Sequence, residues 1–398
     1  MTNNKMTAGE LQSSLALALI FFLRMFGLFL ILPVFVLYAE TLPDATPTLI
    51  GLALGCYGLT QALFQIPFGM VSDRIGRKPV IAAGLLIFML GSVIAGSADS
   101  IFIIILGRAL QGTGAIAAAI MALAADLTRD TQRSKAMALI GISIGFAFAL
   151  AFIAGPALNP LIGVPGLFYL GAGLAVLAII TLYTLVPTPD KYHHHAYQDE
   201  LAGNLLPILV DKKLLRLYLS IFILHMILMA SFVVIPLTLR DLAGVVPDNH
   251  WQIYLPVLVI SALIMLPFLI LGERYNKTGL FFYGAVLLMI LAQSGLYIWH
   301  MSVTSIIIVL ILFFLAFNYL EATLPALITK AAPLSKKGTA LGIYSTSQFI
   351  GTFTGGLAGG YLYDHFGLES IFIFGGIVSI IWLSALLIMQ NPLDHKKL

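Results

Sequence analysis

Gly69-Met70-Val71-Ser72-Asp73-Arg74-Ile75-Gly76-Arg77-Lys78 is a compact charged loop between two long apolar runs, at about residues 48–72 and 79–97. Asp73, Arg74, Arg77 and Lys78 fall within six residues, in a chain where only 10% of residues are charged. Charges that dense between two runs of spanning length belong at a membrane face. Gly69 and Gly76 let the backbone turn tightly and let neighbouring helices approach closely.

The rest of the composition agrees. Of 398 residues, 60% are hydrophobic, and the mean hydropathy is +1.01. A helix needs about 20 apolar residues to cross a bilayer, and the chain supplies about twelve such runs. The fold class is therefore an all-α polytopic membrane protein. Continuous rather than alternating apolar runs exclude a transmembrane β-barrel. The first dozen residues are mostly polar and the first apolar run has full spanning length, so no cleavable signal peptide is expected. The single cysteine, Cys56, rules out an intrachain disulfide and reads as a small packing residue. A net charge of +3 does not point to a nucleic-acid partner.

The spans are predicted at about 14–39, 48–72, 79–97, 101–127, 134–158, 166–187, 214–239, 252–271, 279–299, 302–329, 338–362 and 368–390. With the N-terminus inside, eighteen of the 21 Lys and Arg residues fall on the inner side. Of the rest, Arg240 falls outside, and Arg24 and Arg108 lie within spans. That asymmetry predicts cytoplasmic termini and an even number of spans. The longest polar interruption, at about 188–213, separates an N-terminal six-helix bundle (1–187) from a C-terminal one (214–398) as a cytoplasmic linker. It carries His193-His194-His195, which read as a solvated run rather than a metal site.

A weak internal repeat accompanies this division. Gly69…Gly76 has a counterpart in Gly272-Glu273-Arg274-Tyr275-Asn276-Lys277-Thr278-Gly279, again after the second span of its half. Arg133-Ser134-Lys135-Ala136 before Gly141-Ile142-Ser143 parallels Lys336-Lys337-Gly338-Thr339 before Gly342-Ile343-Tyr344-Ser345. Two similar six-span halves suggest a transporter built by duplication, with its site at a pseudo-two-fold axis.

These residues resemble the major facilitator superfamily. Gly69-x-x-x-Asp73-Arg74-x-Gly76-Arg77-Lys78 is similar to its motif A. Arg108-Ala109-Leu110-Gln111-Gly112-Thr113-Gly114-Ala115 is similar to motif B in span four. Gly145 followed by Gly155-Pro156 is similar to motif C, the signature associated with antiporters, except that Asn159-Pro160 stands where a glycine pair is usual. Phe317-Asn318-Tyr319-Leu320-Glu321-Ala322-Thr323-Leu324-Pro325 and the stretch from Lys337 to Phe349 resemble the YajR-type, drug-efflux-like bacterial permeases. Some such relatives continue into a small soluble domain, which is expected to be missing because the chain stops at Leu398.

The resemblance implies a twelve-helix major facilitator fold in a bacterial inner membrane, mostly monomeric, with spans one, four, seven and ten lining a central cavity. It implies that Asp73 faces the start of span eleven, where a helix N-terminus favours a carboxylate. It also implies a relay Asp73–Arg77–Asp126 that stabilises an outward-open state. The alternative is that these charges only anchor the loop among headgroups.

Arg24 and Arg108 lie within spans, where a charge costs about 2.5–3.5 kcal/mol, so each should face the interior and find a partner. Each reads as a proton-coupling residue or as a hydrogen-bonding hub. Gln111 shares a face with Arg108. Glu321, with Asn318 on the same face of span ten, is a candidate proton or cation site, since a desolvated carboxyl can hold a proton near neutral pH. A basic neighbour such as Arg24 would make it a static ion pair. His225 in span seven is a second proton candidate or a packing histidine. Tyr57, Gln61 and Gln65 form one polar stripe, and Tyr344, Ser347 and Gln348 another. These stripes contact substrate or bond the two halves together.

The function expected is secondary active transport by alternating access: proton-coupled antiport of amphipathic or cationic small molecules. The alternative is proton symport or facilitated transport of a sugar or another metabolite. One charge moved through 100 mV supplies about 2.3 kcal/mol. No phosphate loop, His-Glu-x-x-His, Gly-x-Ser-x-Gly or cysteine cluster is present, so neither an enzyme, a cofactor nor a metal is expected.

Overall fold

The computed structural model describes residues 5–188, 206–299, 302–333 and 336–389, and every regular element among them is helical. The histidine run of the linker lies outside the described residues. Packing divides the chain into two units, one of Met1–Asp44 with Cys56–Ala202 and one of Ala45–Gly55 with Gly203–Leu398.

In the first unit, α1 (Ala8–Phe29) opens with a reciprocal cap. Thr7 Oγ1 accepts from the Glu10 N–H, and the Glu10 carboxylate accepts from the Thr7 N–H. The helix breaks at residues 30–34, where Pro33 has no N–H to give, and resumes as α2 (Phe35–Ala39). The first span is thus interrupted rather than continuous to residue 39. α3 (Pro47–Ile75) and α4 (Arg77–Gly96) meet at Gly76, whose φ of 102° suits only glycine. The fourth span is also broken, into α5 (Ile101–Thr113) and α6 (Ala117–Asp126). Between them Gly114 (φ −72°, ψ 55°) leaves the helical region. α7 (Arg133–Thr184) runs through the predicted turn between spans five and six, with only Gly163 non-helical (φ 65°, ψ 172°), so its 52 residues hold two spans.

The second unit continues with α8 (Leu206–Val210), α9 (Lys212–Leu237), α10 (His250–Arg274), α11 (Thr278–Ile298), α12 (Val303–Ala331), α13 (Lys337–Phe366) and α14 (Glu369–Ile388). Ten helices among the described residues are long and apolar enough to cross a membrane. Counting α7 twice and adding the 30-residue α13, whose glycines and threonines lower its hydropathy, gives the twelve the sequence predicts.

The two units repeat a packing theme. In the first, α1 lies along α7, with Gly27 against Gly171 and the Leu30 carbonyl against Gly155. In the second, α9 lies along α13, with the Phe222 and Met226 carbonyls against Gly351 and Gly355. Absent side chains let the backbones touch, the usual way helices associate in lipid.

Candidate functional site

The charged turn of the first unit is a bonded cluster. Arg77 is 3% exposed. Its Nη1 donates to Asp73 Oδ1 and to Ser72 Oγ at 2.7 Å, and its Nε donates to Asp126 Oδ2 at 3.3 Å. The Asp126 side chain is wholly out of solvent, and its Oδ1 has no partner. Ser72 Oγ in turn donates to the Gly69 carbonyl at 2.7 Å. Lys78 Nζ donates to the Val186 carbonyl and sits 5.7 Å above the Tyr183 ring, tying α4 to the end of α7. Arg74 is exposed. The counterpart turn at Gly272–Gly279 differs: Glu273 and Arg274 are exposed, and Asn276 takes the left-handed turn position (φ 53°).

Arg24 is fully buried. Its Nη2 donates to Gln61 Oε1 at 2.8 Å and to the Gly114 carbonyl at 2.9 Å, and its guanidinium lies 5.7 Å from the Phe88 ring centroid. Tyr57 OH donates to the same Gln61 oxygen at 3.2 Å. The carbonyl that Arg24 reaches is one the break in the fourth span has released from the helix ladder. Gln61 and Gln65 are buried, with the Gln61 amide nitrogen and the Gln65 oxygen unpartnered.

Arg108 donates through Nη1 to Gln111 Oε1 at 2.8 Å and lies 5.3 Å from the Tyr57 ring centroid. Gln111 Nε2 donates to Ser92 Oγ at 2.7 Å, which fixes α5 on α4. Gly91 and Gly107 make that approach possible, since a Cβ on Gly91 would lie 2.6 Å from the Gly107 oxygen. Ser92 carried no signal in the sequence; only the fold brings it to Gln111.

The glycines similar to motif C separate. Gly155 and Pro156 are buried, Gly155 against the break in the first span, while Gly145 faces open space.

In the second unit Glu321, His225 and Gln348 converge from α12, α9 and α13. Gln348 Nε2 lies 2.8 Å from His225 Nε2 and 3.3 Å from Glu321 Oε1. His225 Nε2 is 3.8 Å from Glu321 Oε2, an atom that is buried without a hydrogen-bond partner. His225 Nδ1 lies 3.3 Å from the Ile221 carbonyl of its own helix. The Tyr344 hydroxyl, one turn before Gln348, is buried and unpartnered. Asn318 turns instead to α10, donating through Nδ2 to Ser261 Oγ at 3.3 Å. Gln348 thus bonds within its own unit. Its spacing along span eleven revealed a polar face but not the partners.

Glu10 and Arg129 form a further pair that no sequence pattern marks. Glu10 Oε1 accepts from Arg129 N and Nε at 2.9 and 2.8 Å, and Oε2 from Nη2 at 2.9 Å. Among the described residues no cluster of three or more His, Cys, Asp or Glu is arranged to hold a metal.

A family model described as Major Facilitator Superfamily matches residues 17–320 and 316–398. The inner membrane transport protein YajR of Escherichia coli (strain K12) is 43% identical over 392 residues, covering 98% of this chain and 86% of that protein. The multidrug resistance protein MdtH of Aeromonas hydrophila is 26% identical over 362 residues, covering 89% of this chain and 88% of its own. Among solved structures, a bacterial homolog to the human lysosomal transporter Spinster superposes with a TM-score of 0.76 at 15% identity, covering 96% of both chains. That last likeness concerns the fold alone.

Proposed function

The chain belongs to the Major Facilitator Superfamily, and from that membership we propose that it is a proton-coupled antiporter exporting amphipathic or cationic small molecules by alternating access. Its setting is a bacterial inner membrane, with both termini in the cytoplasm. The relative named inner membrane transport protein supports the location, and the excess of inner Lys and Arg supports the orientation. The relative named multidrug resistance protein supports the substrate class.

The observation that carries the reading is the cluster of Glu321, His225 and Gln348. A carboxylate and an imidazole on two different spans, 3.8 Å apart and 36% and 12% exposed, can take up and release a proton within the membrane. A fixed counter-ion would deny Glu321 that role, but its ion-pair neighbour is a histidine that carries charge only when protonated. Arg24 serves as a hub inside the first unit and Arg108 as a polar anchor beside Tyr57. The cluster of Asp73, Arg77 and Asp126 acts as the inside gate.

A second reading, proton symport or facilitated transport of a metabolite, has one observation in its favour. Asn159-Pro160 replaces the glycine pair of the antiporter-like motif.

Proteoliposomes with an imposed pH gradient and a pH-sensitive dye test both readings. Lipophilic cations, neutral drugs and sugars are added in turn, to wild type and to Glu321→Gln. Export is supported if a cation collapses the gradient only in the wild type. Substrate flux without proton movement would reduce the protein to a facilitator.

A further inference from the structure

Two groups in the second unit can accept the coupled proton, and the geometry around them is unequal. The His225 Nδ1 faces a helix carbonyl, so it carries the imidazole hydrogen and leaves Nε2 as an acceptor. Glu321 Oε1 is an acceptor as well. Gln348 Nε2 faces both, which assigns it as the amide NH2, giving one N–H to each. Its bond to the imidazole, at 2.8 Å, is shorter than its bond to the carboxylate, at 3.3 Å.

We propose that Gln348 is the positioning residue of the proton site, directing the proton to Glu321 by keeping the Nε2 of His225 occupied. This deepens the transport reading above and rests on it. A proton arriving at His225 has to displace the Gln348 N–H from the only free lone pair of the ring. A proton arriving at Glu321 Oε2 breaks no bond, because that oxygen has no partner; it costs only the charge assistance of the longer, 3.3 Å bond to Oε1, which is less than the loss of the 2.8 Å bond to the imidazole. The proton therefore loads on Oε2, and both amide bonds survive.

With Gln348 gone, Nε2 and Oε2 face each other across 3.8 Å with no donor between them. The imidazole then takes the proton, and an imidazolium–carboxylate pair replaces the neutral acid. The Glu321 side chain is 36% exposed, which lowers the cost of keeping that pair charged.

The titratable groups at the cluster are His225 from α9, Glu321 from α12 and Tyr344 from α13 itself. On α14, which also packs on α13, Glu369 in the first turn is the only ionisable side chain.

The test needs no substrate. Infrared titration of the purified protein reads the carboxylic-acid carbonyl band of Glu321, identified by its loss in Glu321→Gln. Histidine labelled with nitrogen-15 reads the imidazole by NMR. Wild type is expected to show the acid band with a neutral His225. Gln348→Leu is expected to move the proton about tenfold toward the imidazole, the worth of one hydrogen bond. The acid band falls and an imidazolium signal appears.

Gln348→Leu combined with His225→Phe is expected to restore the acid band, because the competing acceptor is removed. A merely structural glutamine would not be rescued by a second deletion. The proposal is overturned if Gln348→Leu keeps the wild-type acid band with a neutral imidazole, if the double variant fails to regain the band, or if Glu321 gives no such band in wild type. Vesicle transport by Glu321→Gln tests the antiport reading separately, so either can fail without the other.

Discussion

The Arg77 guanidinium meets Asp126, 49 residues further along the chain, at 3.3 Å, with the two side chains 4% and 0% exposed. Removing one partner of a buried pair leaves the other charge unpaired, at a cost of about 3–5 kcal/mol. Arg77→Met is therefore expected to destabilise the protein by about that much, since the wholly buried Asp126 carboxylate loses the one hydrogen bond it accepts. Arg77→Met together with Asp126→Leu is expected to lose less than Arg77→Met alone, because the carboxylate then left behind, Asp73, is the partly exposed one. Thermal unfolding in detergent, with the three proteins side by side, checks the order.

Asp73 is the most solvent-accessible acid of this cluster, 15% exposed against 0% for Asp126. Its loss should spare folding better than the loss of Asp126. Asp73→Asn is expected to keep normal expression and a melting point close to wild type while slowing transport. Full transport by Asp73→Asn would mean that its charge has no part in gating.

Arg24 spends two donated bonds on Gln61 and on the carbonyl freed at Gly114. Bonds from a charged donor are worth about 1.5–3 kcal/mol each. Arg24→Met is expected to destabilise by about 3–6 kcal/mol, and Gln61→Leu by about half as much. The proton-to-substrate ratio of the surviving protein should be unchanged. A well-folded Arg24→Met protein that moves substrate without protons would reassign Arg24 to coupling.

What the sequence could and could not convey follows from the range of each interaction. Apolar runs, the charged loop and its Gly76 turn are local patterns, so the helices and the charged turn were legible residue by residue. Asp126 was legible only through resemblance to a family. The breaks at residues 30–34 and at Gly114 were hidden, because the apolar run continues through them and hydropathy does not register a lost helical bond. Glu10 and Arg129 are 119 residues apart and Gln348 and His225 123 apart, so no spacing rule connects them. The polar stripe along span eleven was visible, yet a stripe gives a direction and not a partner. The neutral Gln348 joins the two titratable groups, a partnership that its place in the stripe does not give.

Gly155 and Gly145 lie on the same helix and belong to the same motif, but the fold uses them differently. A Cβ on Gly155 would collide with the Leu30 carbonyl at the break between α1 and α2, whereas a Cβ on Gly145 would meet nothing within 4 Å. Gly155→Ala therefore forces backbone apart, and overpacking of that kind costs about 1–3 kcal/mol. Gly145→Ala adds a good helix former in open space and is expected to stabilise by about 0.5–1 kcal/mol. The single cysteine, Cys56, is buried, so a thiol-reactive fluorophore reads unfolding directly. Its labelling midpoint on heating should fall for Gly155→Ala and hold or rise for Gly145→Ala. Equal shifts for the two would mean that the motif acts through helix propensity alone and not through the contact with the first span.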